Sequence, residues 1–240
     1  MTTSFFDRLH AATPRIGVTY VIIVINVVVY LATWLNGADP FTPSPTQMLT
    51  AGGNFLPYTA EQPWRLMSST VVHAGLFHLA VNMWVLLQMG KIAERFYGSV
   101  QFAVIYLLSG LFGSLCSLFF TAESAVSVGA SGAVYGIAGA IIAAVLTKSG
   151  QLPPAVVRHL RLPFVAFVVI SFGLGLITDW IDNSSHLGGL VAGFMLAALM
   201  VARFDWDNFR TRGMQRAMLA LFCAATGGAT LWKLVPVPSP

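Results

Sequence analysis

The chain has 240 residues, of which 56% are hydrophobic and only 9% are charged, and its formal net charge is +4. Globular soluble proteins carry roughly 25% charged residues, so this composition excludes a soluble globular domain. The basic residues stand singly at the ends of apolar runs of about 20 residues, the length that crosses a bilayer as a helix. The surplus of positive charge therefore indicates orientation in a lipid bilayer and not nucleic-acid binding.

The apolar runs predict an all-α polytopic membrane protein. We predict seven membrane-spanning helices: Ile16 to Leu35, Val71 to Gly90, Val100 to Phe120, Gly132 to Thr147, Leu162 to Thr178, Leu187 to Ala202, and Ala217 to Trp232. The first run is too long for the apolar part of a signal peptide, and no small-residue cleavage site follows it, so we expect it to remain as a span.

The distribution of lysine and arginine predicts the orientation of these helices. If the N-terminus is cytoplasmic, all 13 basic residues except Arg65 and Lys233 fall on the inner side. Residues 36–69, here called the outer loop, then lie outside. The aromatic residues of this loop, including Phe55 and Trp64, favour the headgroup boundary over water.

Two polar residues are predicted to lie at the same depth. The interval from Ser131 to Lys148 equals the interval from His186 to Arg203, 17 residues in each case, or about 26 Å of helix. Because the bilayer with its headgroups is about 40–45 Å thick, both side chains should lie several ångströms below the outer surface. A serine and a histidine at one depth can act as nucleophile and general base.

The local sequence around the serine, Gly129-Ala130-Ser131-Gly132, comes directly before a short apolar helix. The preceding loop must dip into the membrane, and irregular backbone is tolerated there only beside protein or a water-filled cavity. A helix N-terminus also offers unpaired N–H groups and partial positive charge, which suit an oxyanion.

Small residues at helical spacing predict that the fourth and sixth helices pack closely. One strip contains His186, Gly189, Gly193 and Ala197, and the other contains Gly132, Gly136, Gly139 and Ala143. This packing would bring Ser131 and His186 together. Tyr135, one turn after Ser131, shares its face and could stack on the imidazole.

The second predicted helix places His78 and Asn82 on one face. Counted from Lys91, they lie about 20 Å and about 14 Å from the inner edge, deeper than Ser131. They are candidate donors to an oxyanion, and the alternative is a hydrogen-bonded pair that only holds the bundle together. We interpret His73 and Asn26 as structural.

Other chemistries fit this sequence less well. Asp182 precedes His186 by four residues and could orient it, but residues 183–185 are typical of a helix cap, so a dyad is favoured over a triad. The sequence has no His-Glu-x-x-His motif for zinc. Asp179 and Asp182 lie in one loop, which disfavours an aspartyl dyad. We expect no metal or cofactor.

Several motifs then occur together in one order. They are Trp64-Arg65 in the outer loop, His78-x-x-x-Asn82 in the second helix, Glu94-Arg95 after it, Gly129-Ala130-Ser131-Gly132 with Tyr135, and His186-Leu187-Gly188-Gly189 with Gly193. Over roughly residues 15 to 203, the chain resembles the rhomboid family of intramembrane serine proteases.

This resemblance implies a role for each matched position. Ser131 would be the nucleophile and His186 its general base, without an acidic third member. His78, Asn82 and the Ser131 backbone N–H would form the oxyanion hole. Tyr135 would support the imidazole, and Trp64-Arg65 would brace the outer loop.

The resemblance also implies an architecture of six helices with an appended seventh. Residues 1–15 would be a cytoplasmic segment, 16–203 the catalytic core, 204–216 a basic cytoplasmic linker, and 217–240 the seventh helix with a short external tail. Family substrates are membrane-spanning proteins cut in or near the membrane, and movement of the fifth helix is the family's proposed route for their entry. We therefore expect a multi-pass protein of the cell membrane whose site opens to the external side, in an oligomeric state that the sequence leaves open.

Two rival functions are retained. One is a catalytically silent relative that binds membrane clients, as a chaperone does, although silent relatives are expected to lose the serine or the histidine. The other is a transporter with Asn26, His73 and His78 as a polar path. The predicted spans lack the charged residues that a proton relay would use.

Overall fold

The computed structural model describes residues 4–120, 125–178 and 180–235. The helices are α1 Phe5–Ala12, α2 Gly17–Leu35, α3 Pro45–Thr50, α4 Leu56–Glu61, α5 Arg65–Ser68, α6 Leu76–Tyr97, α7 Ser99–Phe120, α8 Ser131–Thr147, α9 Pro154–Leu176, α10 Asn183–Leu199 and α11 Trp206–Lys233. Four of them, α2, α6, α7 and α9, are long and apolar enough to cross a membrane. The predicted all-α polytopic fold is confirmed. Asp179 and the last five residues of the predicted external tail lie outside the described residues.

Two of the predicted spans are short helices in the structure. α8 and α10 have 17 residues each, or about 26 Å, whereas the hydrocarbon layer is about 30 Å thick. Both helices begin at one end of the bundle, here called the site end. The opposite end contains most of the lysines and arginines and is called the basic end.

Several predicted helix boundaries were wrong. α6 begins at Leu76 and runs to Tyr97, because Gly75 and Gly98, at φ +95° and +77°, interrupt the helical backbone on either side. α9 begins at Pro154, eight residues before the predicted start, since proline is favoured where a first-turn N–H has no helical partner. Hydropathy shows where a helix is apolar and not where its hydrogen bonds begin.

The predicted linker 204–216 is helical from Trp206 onward, because α11 extends 28 residues through the basic segment. Arginine and glutamine are good helix formers, so the helix continues past the apolar part. The outer loop, for which no helix was predicted, contains α3, α4 and α5. The short helix α1 was also missed. It packs at the basic end, with Arg8 5.5 Å from the ring of Trp206.

The centre of the bundle is α8, whose residues from Gly132 to Val145 are almost all buried. It packs against α10 with backbone touching backbone. A Cβ atom on Gly189 would overlap the carbonyl oxygen of Gly132, and one on Gly193 would overlap that of Gly136. Only glycine permits this approach, so the two small-residue strips determine how closely the two helices lie.

The start of α2 is held by a buried acid. The carboxylate of Glu94 accepts hydrogen bonds from the backbone N–H groups of Val18 and Thr19, at 3.0 and 2.8 Å, and from the Thr19 hydroxyl at 2.7 Å. It also accepts the hydroxyl of Ser99 at 2.7 Å. A negative charge at a helix N-terminus is favourable. Glu94 therefore ties α2 to the end of α6 and the start of α7.

Candidate active site

Ser131 and His186 each lie in the first turn of a short helix, Ser131 as the first residue of α8 and His186 as the fourth of α10. Because these helices begin at the same end and pack through glycine, their first turns meet. Nε2 of His186 lies 2.8 Å from Oγ of Ser131, and the imidazole is buried. The hydroxyl proton can therefore pass to the imidazole directly.

The imidazole is oriented by an aromatic ring. Tyr135 and His186 are stacked, with ring centroids 4.1 Å apart and planes at 12°. The other imidazole nitrogen, Nδ1 of His186, is buried and has no hydrogen-bond partner among the described residues. The plane of the imidazole is thus set by the hydrogen bond to Ser131 at one edge and by stacking on the ring of Tyr135.

Asp182 does not reach the imidazole as a triad acid would. Its carboxylate accepts the backbone N–H of Ser185 at 2.9 Å, which makes it the N-cap of α10. It also accepts the hydroxyl of Ser127 at 2.6 Å. Asp182 joins the loop before Ser131 to the loop before His186, so the two first turns keep their relative position.

His78 faces the turn that leads into Ser131. Gly129 has φ +125°, a conformation that favours glycine, and a Cβ atom there would lie 2.8 Å from Nε2 of His78, so the imidazole would have to shift. Nδ1 of His78 accepts the backbone N–H of Ala74 at 3.2 Å. In the neutral ring the proton is therefore on Nε2, beside the turn.

Asn82 is held differently, although it lies one turn after His78. Its Nδ2 donates to the backbone carbonyl of His78 at 2.9 Å, within the same helix. The side chain is buried. This bond uses one N–H of the amide, so the second N–H remains for another acceptor.

His73 makes contacts that the sequence did not reveal. Its Nε2 lies 3.4 Å from the backbone N–H of Ala130, and its ring meets that of His78 edge to face at 5.2 Å. These contacts hold the turn before Ser131, which agrees with a structural interpretation of His73. Asn26 bonds within its own helix, to the carbonyl of Ile22 at 2.8 Å.

The outer loop fastens the segment that precedes Ser131. Asn54 and Ser127 exchange two backbone hydrogen bonds of 2.9 and 2.8 Å, and the N–H of Gly129 donates to the Ser69 carbonyl at 2.8 Å. The Asn54 side chain donates to the carbonyl of Ser114 at 2.9 Å. Irregular backbone at this depth is therefore satisfied by protein partners. No motif in the sequence indicated Asn54.

The buried side chain of Arg65 joins segments of the outer loop by hydrogen bonds. Its Nη1 donates to the carbonyls of Leu49 and Gly53 at 2.7 and 3.1 Å, and the guanidinium is buried. The Arg65 guanidinium carbon lies 4.8 Å from the centroid of the Trp64 ring, within reach of a cation–π interaction. These contacts are those expected of a brace for the loop.

The arrangement combines a hydroxyl, an imidazole and the N-terminus of a buried helix. The first N–H groups of α8 have no partner within the helix and carry partial positive charge. Among the described residues, no group of three or more His, Cys, Asp or Glu could hold a metal ion. The site is equipped for nucleophilic attack by Ser131 with His186 as the proton acceptor.

Comparison with known proteins identifies one family over most of the chain. The family model for the Rhomboid domain matches residues 60–203. The chain is 35% identical to Rhomboid protease GluP of Bacillus subtilis over 185 residues, which is 76% of this chain and 34% of that protein. It is 36% identical to RHOMBOID-like protein 6, mitochondrial, of Arabidopsis thaliana over 152 residues, 62% of this chain and 48% of the relative.

A third relative carries a different description. Inactive RHOMBOID-like protein 8 of Arabidopsis thaliana is 35% identical over 129 residues, 54% of this chain and 36% of that protein. The chain spans between a third and a half of the length of these relatives. A relative named as a protease and a relative named as inactive are thus both 35% identical to it, so activity has to be argued from the site.

Proposed function

The chain belongs to the rhomboid family of multi-pass membrane proteins, and we propose that it is an intramembrane serine endopeptidase with Ser131 as nucleophile and His186 as general base. The observation that supports this most directly is the 2.8 Å distance between Ser131 Oγ and His186 Nε2 at the buried start of two helices. The pair also lies beside the N-terminus of α8, whose first N–H groups have no partner within the helix and can stabilise an oxyanion.

The proposed reaction proceeds in two stages. Oγ of Ser131 attacks the carbonyl carbon of the substrate peptide while its proton passes to Nε2 of His186. The imidazolium then returns the proton to the leaving amine as the C–N bond breaks, and an acyl enzyme remains. Water, deprotonated by His186, attacks the ester and releases the second product.

The oxyanion of each tetrahedral intermediate needs hydrogen-bond donors. In this proposal the backbone N–H of Ser131 at the start of α8 and Nε2–H of His78 supply them, and Asn82 adds the N–H of its amide that is not bonded to the His78 carbonyl. One such donor contributes about 2.7–4 kcal/mol in soluble serine proteases. The partial positive charge of the α8 N-terminus acts in the same direction.

The substrates in this proposal are membrane-spanning proteins. A transmembrane helix hides its peptide bonds, so a cleavable segment has to unwind where its backbone can be satisfied by protein or water. The site end offers such a place below the membrane surface. With the N-terminus in the cytoplasm, the site end faces the external side of the cell membrane, and cleavage occurs near the outer leaflet.

The test is proteolysis by the purified full chain in proteoliposomes that contain a single-span substrate protein. Ser131→Ala is expected to abolish cleavage, because in the described part of the chain the hydroxyl bonded to Nε2 of His186 is that of Ser131. Thr147→Ala is a matched control at the far end of the same helix, where the hydroxyl donates to the Ala143 carbonyl and accepts from the Lys148 ammonium group, and it is expected to cleave like wild type. Equal cleavage by wild type and Ser131→Ala would overturn the proposed nucleophile.

The second candidate function is a rhomboid-like protein that binds membrane clients without cutting them, which the similarity to an inactive relative favours. A fluorophosphonate probe separates the two, since it reacts with an activated serine. We expect labelling of wild type and none of Ser131→Ala. A wild-type chain that binds the test substrate, resists the probe and leaves the substrate whole would support the silent function.

A further inference from the structure

Helix α9 is packed loosely against the rest of the bundle. Its Val169 and Ile170 side chains are exposed, by 64% and 63%. Toward the basic end, a cavity of about 250 Å³ lies between α8 and α9, bordered among others by Val145 and Leu160. The buried side chains of α9, Val156, Leu160 and Phe164, all lie in this half, so apolar packing gives α9 little hold toward the site end.

Toward the site end, α9 is held by a relay of hydroxyl groups. The hydroxyl of Tyr135 on α8 donates to Oγ of Ser171 on α9 at 2.6 Å, and the hydroxyl of Ser171 donates to the carbonyl of Phe167 one turn earlier. The Phe167 ring lies 5.4 Å from that of Tyr135. A second polar contact joins Asn183 at the start of α10 to the Phe172 carbonyl at 3.1 Å.

The same tyrosine carries the imidazole of His186. Its ring face stacks on the imidazole at 4.1 Å, and Nδ1 of His186 has no hydrogen-bond partner among the described residues that would set the ring plane. The tyrosine side chain has only two torsions, so the ring moves as a rigid unit. Its hydroxyl is held by the hydrogen bond to Ser171. A shift of α9 would therefore move the Tyr135 ring, and with it Nε2 of His186, which faces Ser131.

We propose that Ser171 is a positioning residue that couples the seating of α9 to the alignment of His186 through Tyr135. This inference rests on the proposed function of Ser131 and His186. When α9 is packed against α8, the hydrogen bonds from Tyr135 to Ser171 and from Ser171 to the Phe167 carbonyl are both formed, and the plane of the His186 imidazole is fixed. When α9 moves away from α8, Tyr135 loses its anchor and the imidazole loses its alignment with Ser131.

The primary test is steady-state cleavage of the single-span substrate by Ser171→Ala and Tyr135→Phe in the full chain. Each variant breaks the relay from one side and is expected to lower kcat by about 5- to 50-fold, because small misplacements of a catalytic base are costly. KM should change little, since neither hydroxyl is proposed to touch the substrate. Ser171→Thr keeps the hydroxyl and is expected to restore most of kcat. A Ser171→Thr variant as slow as Ser171→Ala would overturn the role of the hydroxyl.

A double-mutant cycle separates positioning from general loosening of α9. Tyr135→Phe combined with Ser171→Ala is expected to be no slower than either single variant, because both remove the same bond. Asn183→Ala removes the other polar contact of α9, and its effect should add to that of Ser171→Ala. Val169→Ala, an exposed truncation on α9, is the control for helix surface changes and should match wild type.

The outcomes distinguish this inference from the proposed function. Suppose that Ser131→Ala abolishes cleavage, whereas Ser171→Ala and Tyr135→Phe both keep the kcat of wild type and melt as folded proteins. The inference about Ser171 then fails, and the proposed function stands. Additive losses in the double variant would also overturn it. If Ser131→Ala cleaves normally, the proposed function fails, whatever the Ser171 variants do. The rate of fluorophosphonate labelling of Ser131 gives a second readout and should fall in parallel with kcat.

Discussion

His78 and Asn82 lie one helical turn apart on α6, but their polar atoms are held in different ways. Nδ1 of His78 accepts the Ala74 N–H, which leaves the Nε2 proton directed toward the Gly129 turn. The amide of Asn82 is occupied by the carbonyl of its own helix. One N–H of Asn82 remains for another acceptor, but the contacts above direct only the His78 proton at the turn before Ser131. A donor that is already directed at a developing charge stabilises it most. At the residue scale, the two candidate oxyanion donors are therefore unequal.

This difference predicts unequal losses of activity. His78→Ala is expected to lower kcat by about 100-fold, in the range measured for a single oxyanion donor, and Asn82→Ala should lower it less. The measurement is kcat for the single-span substrate, with fluorophosphonate labelling as a check that the serine is still reactive. His10→Ala, an exposed histidine of α1, serves as the control. A larger loss in Asn82→Ala than in His78→Ala would contradict the assignment.

Contacts between helix backbones determine the site at the scale of elements. Ser131 and His186 meet because α8 and α10 cross at Gly132 and Gly189, where a single added carbon would overlap a carbonyl oxygen. Gly173, on the loosely packed α9, has nothing within 4 Å of where its Cβ would be. The same substitution at these two glycines tests whether close packing of α8 and α10 sets the geometry of the site.

Gly189→Ala is expected to separate α8 from α10, abolish cleavage and lower Tm by about 6 °C or more, because overpacking costs about 3 kcal/mol where backbone cannot yield. Gly189→Val should be at least as harmful. Gly173→Ala should keep full activity and an equal or slightly higher Tm, since alanine favours a helix over glycine by about 1 kcal/mol. The measurements are cleavage rate and thermal melting in detergent. Normal turnover by Gly189→Ala would contradict the packing.

The charge distribution of the whole molecule separates a basic end from the site end. Lys148 of the basic end follows α8 directly, and Arg203 comes shortly after the end of α10, so the site lies about one helix length away. The first half of α11 lies at the basic end. The whole of α11 has 28 residues and is about 42 Å long. That length is enough to cross the bilayer and leave the basic first turns in the headgroup region.

We therefore predict an odd number of crossings, with the N-terminus inside and the C-terminus outside. Green fluorescent protein fused to the N-terminus of the full chain should fluoresce, and alkaline phosphatase fused to the C-terminus should be active. Exchanging the two reporters is the control and should silence both. A fluorescent C-terminal fusion would show that α11 does not cross, and would leave the six-helix core unaffected.

Much of the fold followed from the sequence because a membrane imposes simple rules. Apolar length predicted the helical bundle, whereas the orientation expected from the basic residues stays a prediction. Counting residues from the first charge also placed Ser131 and His186 at one height, because rise per residue in a helix is constant. The ends of α6, α9 and α11 were misjudged, since apolar length alone does not show where backbone hydrogen bonding starts.

What the sequence by itself determined is the position of Ser131 and His186 along their own helices and the glycine strips that let helices touch. Only the tertiary structure decided which groups of other helices and loops lie beside each residue. Tyr135 bonds Ser171 from another helix, Asn54 pairs with Ser127 across two loops, and Glu94 caps α2 from 75 residues away. The physical reason is that helical spacing specifies position along an axis and around it, whereas such pairings depend on how separate helices and loops are arranged in the plane.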